Sequence, residues 1–202
     1  MRLGNRAPDM LDIAFDLQGS FVPAGYAFAL WDEVVRCLPW LDAEEFAGIL
    51  PLRAAASGEN MLLPQRAKLV LRLPAELAPQ AMALSGQELD VEGSMLRVGK
   101  AREKSLQPYP TLHAQLVESN SEEEVFIADM AGQLQEMGVA CKLICGKRHT
   151  IAGAKQSVVG YSLVLHDLKP DGSLQIQRTG LGGKRRFGCG IFVPYKSISG
   201  LS

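Results

Sequence analysis

The sequence contains no apolar run of the roughly 18 residues that a membrane-spanning helix needs. Its first twenty residues include Asp9, Asp12 and Asp16, so they lack the basic and then apolar order of a signal peptide. We therefore expect a cytoplasmic protein that has no membrane partner.

Cysteine is also scarce, with four residues, Cys37, Cys141, Cys145 and Cys189. Only Cys141 and Cys145 form a close pair, and that pair lies in an apolar run, whereas zinc sites usually show two close pairs of ligands. The pattern favours reduced, buried thiols over disulfides, and it predicts neither a metal site nor a cofactor.

What the chain does contain is typical of a globular protein, with 47% hydrophobic and 21% charged residues in 202. The overall net charge of -1 hides an asymmetry: residues 139 to 202 hold ten Lys or Arg and two acids, a net of +8, which leaves -9 for residues 1 to 138. The basic end of the chain is a candidate site for a polyanion.

Apolar periodicity predicts the same order of elements twice. In the first half we expect strands at 10 to 17, 47 to 54, 67 to 73 and 88 to 99, with helices at 25 to 38 and 75 to 84. In the second half we expect strands at 111 to 118, 140 to 145, 157 to 166 and 189 to 194, with helices at about 122 to 137 and 172 to 178.

Charges and two prolines mark residues 101 to 110 as a linker. The two βαββαβ orders predict an α+β protein of tandem ferredoxin-like domains, similar to RNA-recognition motifs, at residues 1 to 100 and 111 to 202. Many functions use this fold, so the architecture alone predicts no activity.

The segment from Gly180 to Gly190 is the most informative, because it combines five glycines with three consecutive cations, Lys184, Arg185 and Arg186. Glycine-rich backbone can approach a phosphate closely, and guanidinium groups can bind phosphate oxygens or stack on bases. The spacing of the glycines fits neither a P-loop nor a dinucleotide fingerprint. A solvated basic turn is the structural alternative.

The run GLGGKRRFGCGIFVP at 180 to 194 and the strand VGYSLVLH at 159 to 166 resemble the C-terminal signature of CRISPR repeat-processing endoribonucleases, the Cas-six family of the RAMP superfamily. The resemblance is specific over about residues 139 to 196, and the Gly25-Tyr26 helix start fits a compact subgroup. It implies binding of a CRISPR repeat stem-loop, metal-independent cleavage at its 3′ base, retention of the guide RNA and association with other subunits of an effector complex.

The resemblance assigns RNA contact to the 180 to 190 loop, through Gly180, Gly182, Gly183, Lys184, Arg185, Arg186 and Gly188. Charge alone adds Lys147, Arg148 and His149, which we place in a hairpin turn between two strands. We expect these residues to contact the RNA backbone.

Metal-free RNA cleavage uses the 2′-hydroxyl as nucleophile and needs groups that transfer protons. Family members commonly place a histidine near the first helix, but Ala24 occupies that position and no histidine precedes His113. Either other groups act, or cleavage is poor, or the alanine is inactivating. The substitute candidates are Tyr26 and His149, each with a structural alternative; we expect His113 and His166 to be structural.

Two rival functions stay open. The first is a non-catalytic subunit of the same fold that binds the guide RNA in an effector complex. The second is a protein-interaction module, in which the basic segment is a solvated face.

Overall fold

The computed structural model describes residues 7 to 195. It divides into two compact units. The first contains the chain up to Leu106 together with Thr150–Val158 and Lys184–Gly188; the second contains Gln107–His149, Val159–Gly183 and the chain from Cys189 onward. Two short segments from the second half of the chain therefore belong to the first unit.

The first unit is built on a sheet of five strands, with three shorter strands beside it. Its elements are β1 (Met10–Gln18), β2 (Phe21–Pro23), α1 (Ala27–Cys37), β3 (Gly48–Ile49), β4 (Ala55–Ser57), β5 (Asn60–Leu62), β6 (Lys68–Pro74), α2 (Ala78–Ala81), β7 (Glu88–Val91) and β8 (Ser94–Ser105). The main sheet has the order β3-β6-β1-β8-β7, and β2, β5 and β4 form a second small sheet.

Alternating side chains explain why one face of the main sheet is the core. Ile13, Phe15 and Leu17 of β1 are buried, and α1 packs its apolar face, which includes Trp31 and Val34, into the same cluster. Pro39 follows α1 and begins a short 3-10 turn over Pro39–Ala43. Without β7 the sheet order is that of a ferredoxin-like fold.

The second unit contains the second ferredoxin-like sheet. Its elements are β9 (Leu112–Glu118), α3 (Glu123–Glu136), β10 (Lys142–Ala152), β11 (Ser157–His166), α4 (Pro170–Thr179) and β12 (Val193–Pro194). The ends of β10 and β11 beyond His149 and before Val159 fall in the first unit. The order β10-β11-β9-β12 leaves β10 at an edge, and Phe126, Leu163 and Phe192 are fully buried in the core. The predicted tandem ferredoxin-like fold is confirmed.

Several predicted boundaries were wrong. The linker prediction fails at residues 101 to 105, because β8 continues there and pairs with β1 up to Ser105. The predicted strand 88 to 99 begins as a hairpin, since Glu92 and Gly93 adopt positive φ angles between β7 and β8. The predicted helix 75 to 84 contains only four α-helical residues, flanked by 3-10 turns, because Pro79 lacks an amide hydrogen.

The hairpin expected around residue 148 was also misplaced. β10 runs to Ala152, and the turn closes where the Gly153 amide donates to the Gln156 carbonyl at 2.9 Å. Lys147, Arg148 and His149 therefore lie on a strand and not in a turn. Strands predicted at 47 to 54 and 189 to 194 shorten to Gly48–Ile49 and Val193–Pro194.

Cys37, Cys141 and Cys145 have free, half-buried thiols, whereas Cys189 is buried. Burial raises the pKa of the Cys141 and Cys145 thiols. Among residues 7 to 195, no helix is long and apolar enough to cross a membrane.

Candidate nucleic-acid interface

The glycine-rich loop begins where α4 ends. Gly180 has a φ of 69° and terminates the helix, since a side chain is disfavoured in that conformation. Gly190 closes the loop: its amide donates to the Leu116 carbonyl at 2.8 Å, and a Cβ there would lie 2.1 Å from the Leu181 carbonyl oxygen. At least one of the five glycines is therefore required by the fold of the loop itself, apart from any ligand.

The central part of the loop is a single 3-10 turn, Arg185–Phe187, held in the first unit. Lys184 precedes it in a left-handed conformation, and Gly188 follows it with a φ of 85°. The Phe187 ring meets the Phe28 ring edge-to-face, with 4.7 Å between the centroids. This aromatic contact fixes the turn against α1.

Arg185 points into the first unit. Its Nε donates to the Phe46 carbonyl oxygen at 2.8 Å, and the side chain is half-buried. Burial, with a smaller contribution from the nearby Arg72 charge, lowers the pKa of Arg185 to about 9. The guanidinium is still charged at neutral pH, but part of its hydrogen-bonding capacity is used inside the protein.

Arg186, by contrast, lies at the surface. Its Nη1 is 3.1 Å from the Asp42 carboxylate, and its guanidinium lies over the Trp31 ring, 5.4 Å from the ring centroid. Both members of the ion pair are more than two-fifths exposed, and such exposed pairs contribute little to stability. A phosphate can therefore replace Asp42 at a small cost, while the contact with Trp31 keeps the side chain in place.

The remaining loop residues that we predicted to bind RNA are divided between the units. Lys184 is exposed in the first unit, and Gly182 and Gly183 are exposed in the second. The Gly182 amide faces the Gln133 side-chain oxygen at 3.3 Å. RNA contact by each of these residues stays a prediction.

Tyr26 lies just before α1 and supports the backbone. Its hydroxyl oxygen accepts a hydrogen bond from the Leu52 amide at 2.7 Å. Burial raises the pKa of Tyr26 to about 12, and the hydrogen bond only partly opposes this shift. Such a phenol is a poor acceptor of protons, although it still has a hydrogen to donate.

Ala24, at the position where we looked for a catalytic histidine, is exposed. Its amide donates to the Glu59 carbonyl at 3.0 Å, so this short turn is fixed by the small sheet. A larger side chain at residue 24 would project into solvent. The position can therefore accept a histidine without disturbing the core.

Lys147, Arg148 and His149 are all exposed on the edge strand β10. Arg148 is 3.8 Å from the Glu122 carboxylate and lies 5.7 Å from the centroid of the Tyr161 ring. The pair is long and its acid is largely exposed, so it holds the arginine weakly. Among the described residues, the side chains of Lys147 and His149 make no hydrogen bond and no ion pair.

The other two histidines have structural contacts. His166 Nδ1 lies 3.0 Å from the Thr111 hydroxyl, and the half-buried His113 packs edge-to-face on Tyr195 with 5.8 Å between the centroids. Burial lowers the pKa of His113. These contacts agree with the structural roles that we expected.

Sequence reasoning did not identify the residues that hold the loop. Asp42 and Phe46 lie about 140 positions before their arginine partners, in a segment without a motif. Trp31 lies in α1, within the helix predicted at 25 to 38. No short-range signal in the sequence connects these residues to the loop.

Comparison with known proteins extends over nearly the whole chain. The family model described as Cas6 Crispr matches residues 11–197. The "CRISPR-associated endonuclease Cas6" of Myxococcus xanthus strain DK1622 is 33% identical over 186 residues, which cover 91% of this chain and 81% of that protein.

Solved structures share the fold at much lower identity. A protein from a Cas6-related gene of Pyrococcus furiosus superposes with a TM-score of 0.65 at 12% identity, covering 91% of this chain and 98% of that one. Thermus thermophilus Cse3, bound to an RNA that represents a pre-cleavage complex, gives a TM-score of 0.53 at 15% identity, covering 92% and 98%.

Proposed function

Because the chain belongs to the Cas6 family, we propose that it processes CRISPR precursor RNA. In this proposal it binds the repeat stem-loop, cuts it without a metal ion, and keeps the resulting guide RNA bound. The observation that carries the proposal is the family match across residues 11–197, together with 33% identity to a relative described as an endonuclease. The exposed cations of the loop and of β10 support an RNA substrate.

The proposed reaction is an internal transfer of the phosphoryl group. The 2′-hydroxyl of one nucleotide loses its proton to a base and attacks the adjacent phosphorus, while the bond from phosphorus to the 5′-oxygen breaks. That oxygen takes up a proton from an acid, which leaves a 2′,3′-cyclic phosphate and a 5′-hydroxyl. The cations compensate the negative charge that develops on the phosphorane.

His149 is the proposed proton-transfer group. It is exposed, and it follows Lys147 and Arg148, which can hold the phosphate backbone nearby. Tyr26 is proposed as an orienting or donating group only, because its raised pKa, about 12, makes it a poor base. The roles of His149 and Tyr26 are proposed independently of each other.

The assay that tests this function is incubation of repeat RNA with the protein in EDTA, followed by analysis of the new ends. We expect one cut at the 3′ base of the stem-loop, with a cyclic phosphate on the upstream fragment. Absence of cleavage combined with no preference for the repeat over a scrambled hairpin would contradict the proposal.

A second candidate function is a guide-RNA-binding subunit that does not cut. The observation that favours it is the exposed Ala24 at the position expected for a histidine. Ala24→His distinguishes the two. If the alanine is the reason for weak activity, the substitution should raise the cleavage rate by about 100- to 10,000-fold, the usual contribution of an acid or base. Tight repeat binding without cleavage in both proteins would favour the second function.

A further inference from the structure

The C-terminal half of β8 carries a row of cations that neither the loop nor β10 includes. Lys100, Arg102 and Lys104 are all exposed, and the last two lie in the segment that charge and proline content had marked as a linker. These side chains occur at every second residue, which in a strand puts them on one face at intervals of about 6.7 Å. We call these three residues the β8 row.

The register of the sheet shows which face carries the β8 row. Lys104 pairs with Asp12 and Arg102 pairs with Ala14, whereas Ala101 pairs with the fully buried Phe15. The row therefore lies on the face opposite the apolar core. Lys100 and Arg102 both help to lower the pKa of Asp16, after the larger effect of Lys68, which agrees with a position near that carboxylate.

The acids on this face are already neutralised by other cations. Asp12 accepts two hydrogen bonds from the buried Arg72, at 2.7 and 2.9 Å, and Asp16 is paired with Lys68. Among residues 7 to 195, the side chains of the β8 row make no hydrogen bond and no ion pair. This face of the sheet therefore carries an excess of positive charge, although residues 1 to 138 together have a net charge of -9.

The edge of the sheet is also open beside the β8 row. β7 pairs with β8 only from Ser94 to Arg97, so within the described residues 7 to 195 no strand covers the edge beyond that point. Ala14 and Val70 lie across the strands from Arg102, and neither is aromatic. Binding there would use charge on the phosphates, and such contacts carry no sequence information.

We propose that the β8 row is a second RNA-binding surface, which holds the phosphates of a single-stranded segment of the transcript. A straight row of three cations, about 13 Å long at strand spacing, fits the backbone of one chain. The inference rests on the proposed function for the source of the RNA, but the surface itself requires only a single-stranded polyanion. It extends the path of the transcript beyond the stem-loop.

The test compares two triple variants of the full chain. Lys100→Gln, Arg102→Gln and Lys104→Gln remove the β8 row, and the control Arg53→Gln, Arg66→Gln and Lys155→Gln removes the same charge from exposed positions of the first unit that lie outside β8. The probe is a uridine oligomer of about twelve nucleotides, within the range of about 4 to 16 that such surfaces cover. Its use separates this inference from repeat recognition.

We expect the first variant to bind the oligomer on the order of 10- to 100-fold more weakly at low salt, with a salt slope smaller by about 2. The control should differ from the wild type by less than about threefold. Equal effects of both variants, an unchanged slope, or no measurable binding of the oligomer by the wild type would overturn the inference.

Failure of the proposed function gives a different pattern. If the wild type binds the oligomer through the β8 row but neither prefers nor cuts repeat RNA, the surface stands and the repeat-processing function falls. If repeat RNA is cut but the two triple variants bind the oligomer equally, the repeat-processing function stands and the β8 surface falls.

Discussion

The glycine-rich loop and strand β10 carry similar short basic runs, Lys184 to Arg186 and Lys147 to His149, but the structure treats the two runs differently. In the loop, Arg185 is held by the Phe46 carbonyl and Arg186 by Asp42 and Trp31. On β10 all three side chains are exposed, and within residues 7 to 195 only Arg148 has a side-chain partner, through a long ion pair with Glu122 and a contact with the Tyr161 ring. A run of cations therefore predicts a charged region, but not which of its members are available to a ligand.

The largest effect in this comparison should come from β10. His149→Ala should slow single-turnover cleavage of repeat RNA by about 100- to 10,000-fold, because a proton-transfer group is lost. Since the side chain is exposed, the urea midpoint of unfolding should stay unchanged. An unchanged cleavage rate would exclude His149 from the chemistry and would leave the strand with a binding role only.

Tyr26, in the first unit, should make the free energy of unfolding depend on pH. Its pKa is raised from 10.0 to about 12 in the folded state, so its contribution to stability is complete below pH 10 and is lost as the pH rises towards 12. The wild type should therefore lose free energy of unfolding over this range.

Tyr26→Phe should remove that alkaline loss, because phenylalanine has no hydroxyl to ionise. Urea unfolding at several pH values between 8 and 12 measures this loss of stability.

Tyr26→Phe also tests the role of Tyr26 in cleavage: slower cleavage at neutral pH with unchanged RNA affinity would support an orienting role. A wild type and a variant with parallel stability curves would contradict the buried, neutral phenol.

A smaller effect is expected from the binding cations of β10. Lys147→Gln with Arg148→Gln should reduce the slope of log affinity against log salt by about 1.5 to 2, because two exposed cations no longer release counterions from the RNA. Lys142→Gln is a suitable control on the same strand, since Lys142 is paired with Asp167 at 2.9 Å. If the control changed the slope as much per residue, the assignment of the RNA contact to residues 147 and 148 would be wrong.

The fold could be predicted largely because its cores leave periodic signals. β11 was predicted at its observed bounds, Ser157–His166, and the two βαββαβ orders agree with the observed sheets. Errors arose where a charged segment had the period of a strand, as at residues 101 to 105, and where tertiary pairing extended β10 through polar residues. Charge is compatible with an edge strand, so charge alone could not locate a linker or a turn.

The candidate site was less predictable, because its geometry depends on contacts that are distant in sequence. The run of arginines was visible, but the division of roles between Arg185 and Arg186 follows from Phe46, Asp42 and Trp31. Likewise, the raised pKa of Tyr26 follows from burial that only the folded chain provides. The residue types indicated which chemical groups are present, and packing determined which of these groups are available to a ligand.

The two neighbouring arginines of the loop should have separable roles: Arg185 should hold the loop, and Arg186 should contact RNA. Salt titration of repeat RNA binding by Arg185→Gln and Arg186→Gln, each with a urea unfolding curve, measures this directly. Arg186→Gln should lower the salt slope by about 1 with little change in stability, whereas Arg185→Gln should keep the slope and lose about 1.5 to 3 kcal/mol of unfolding free energy. Equal slopes in the wild type and Arg186→Gln, or a reduced slope in Arg185→Gln at unchanged stability, would contradict it.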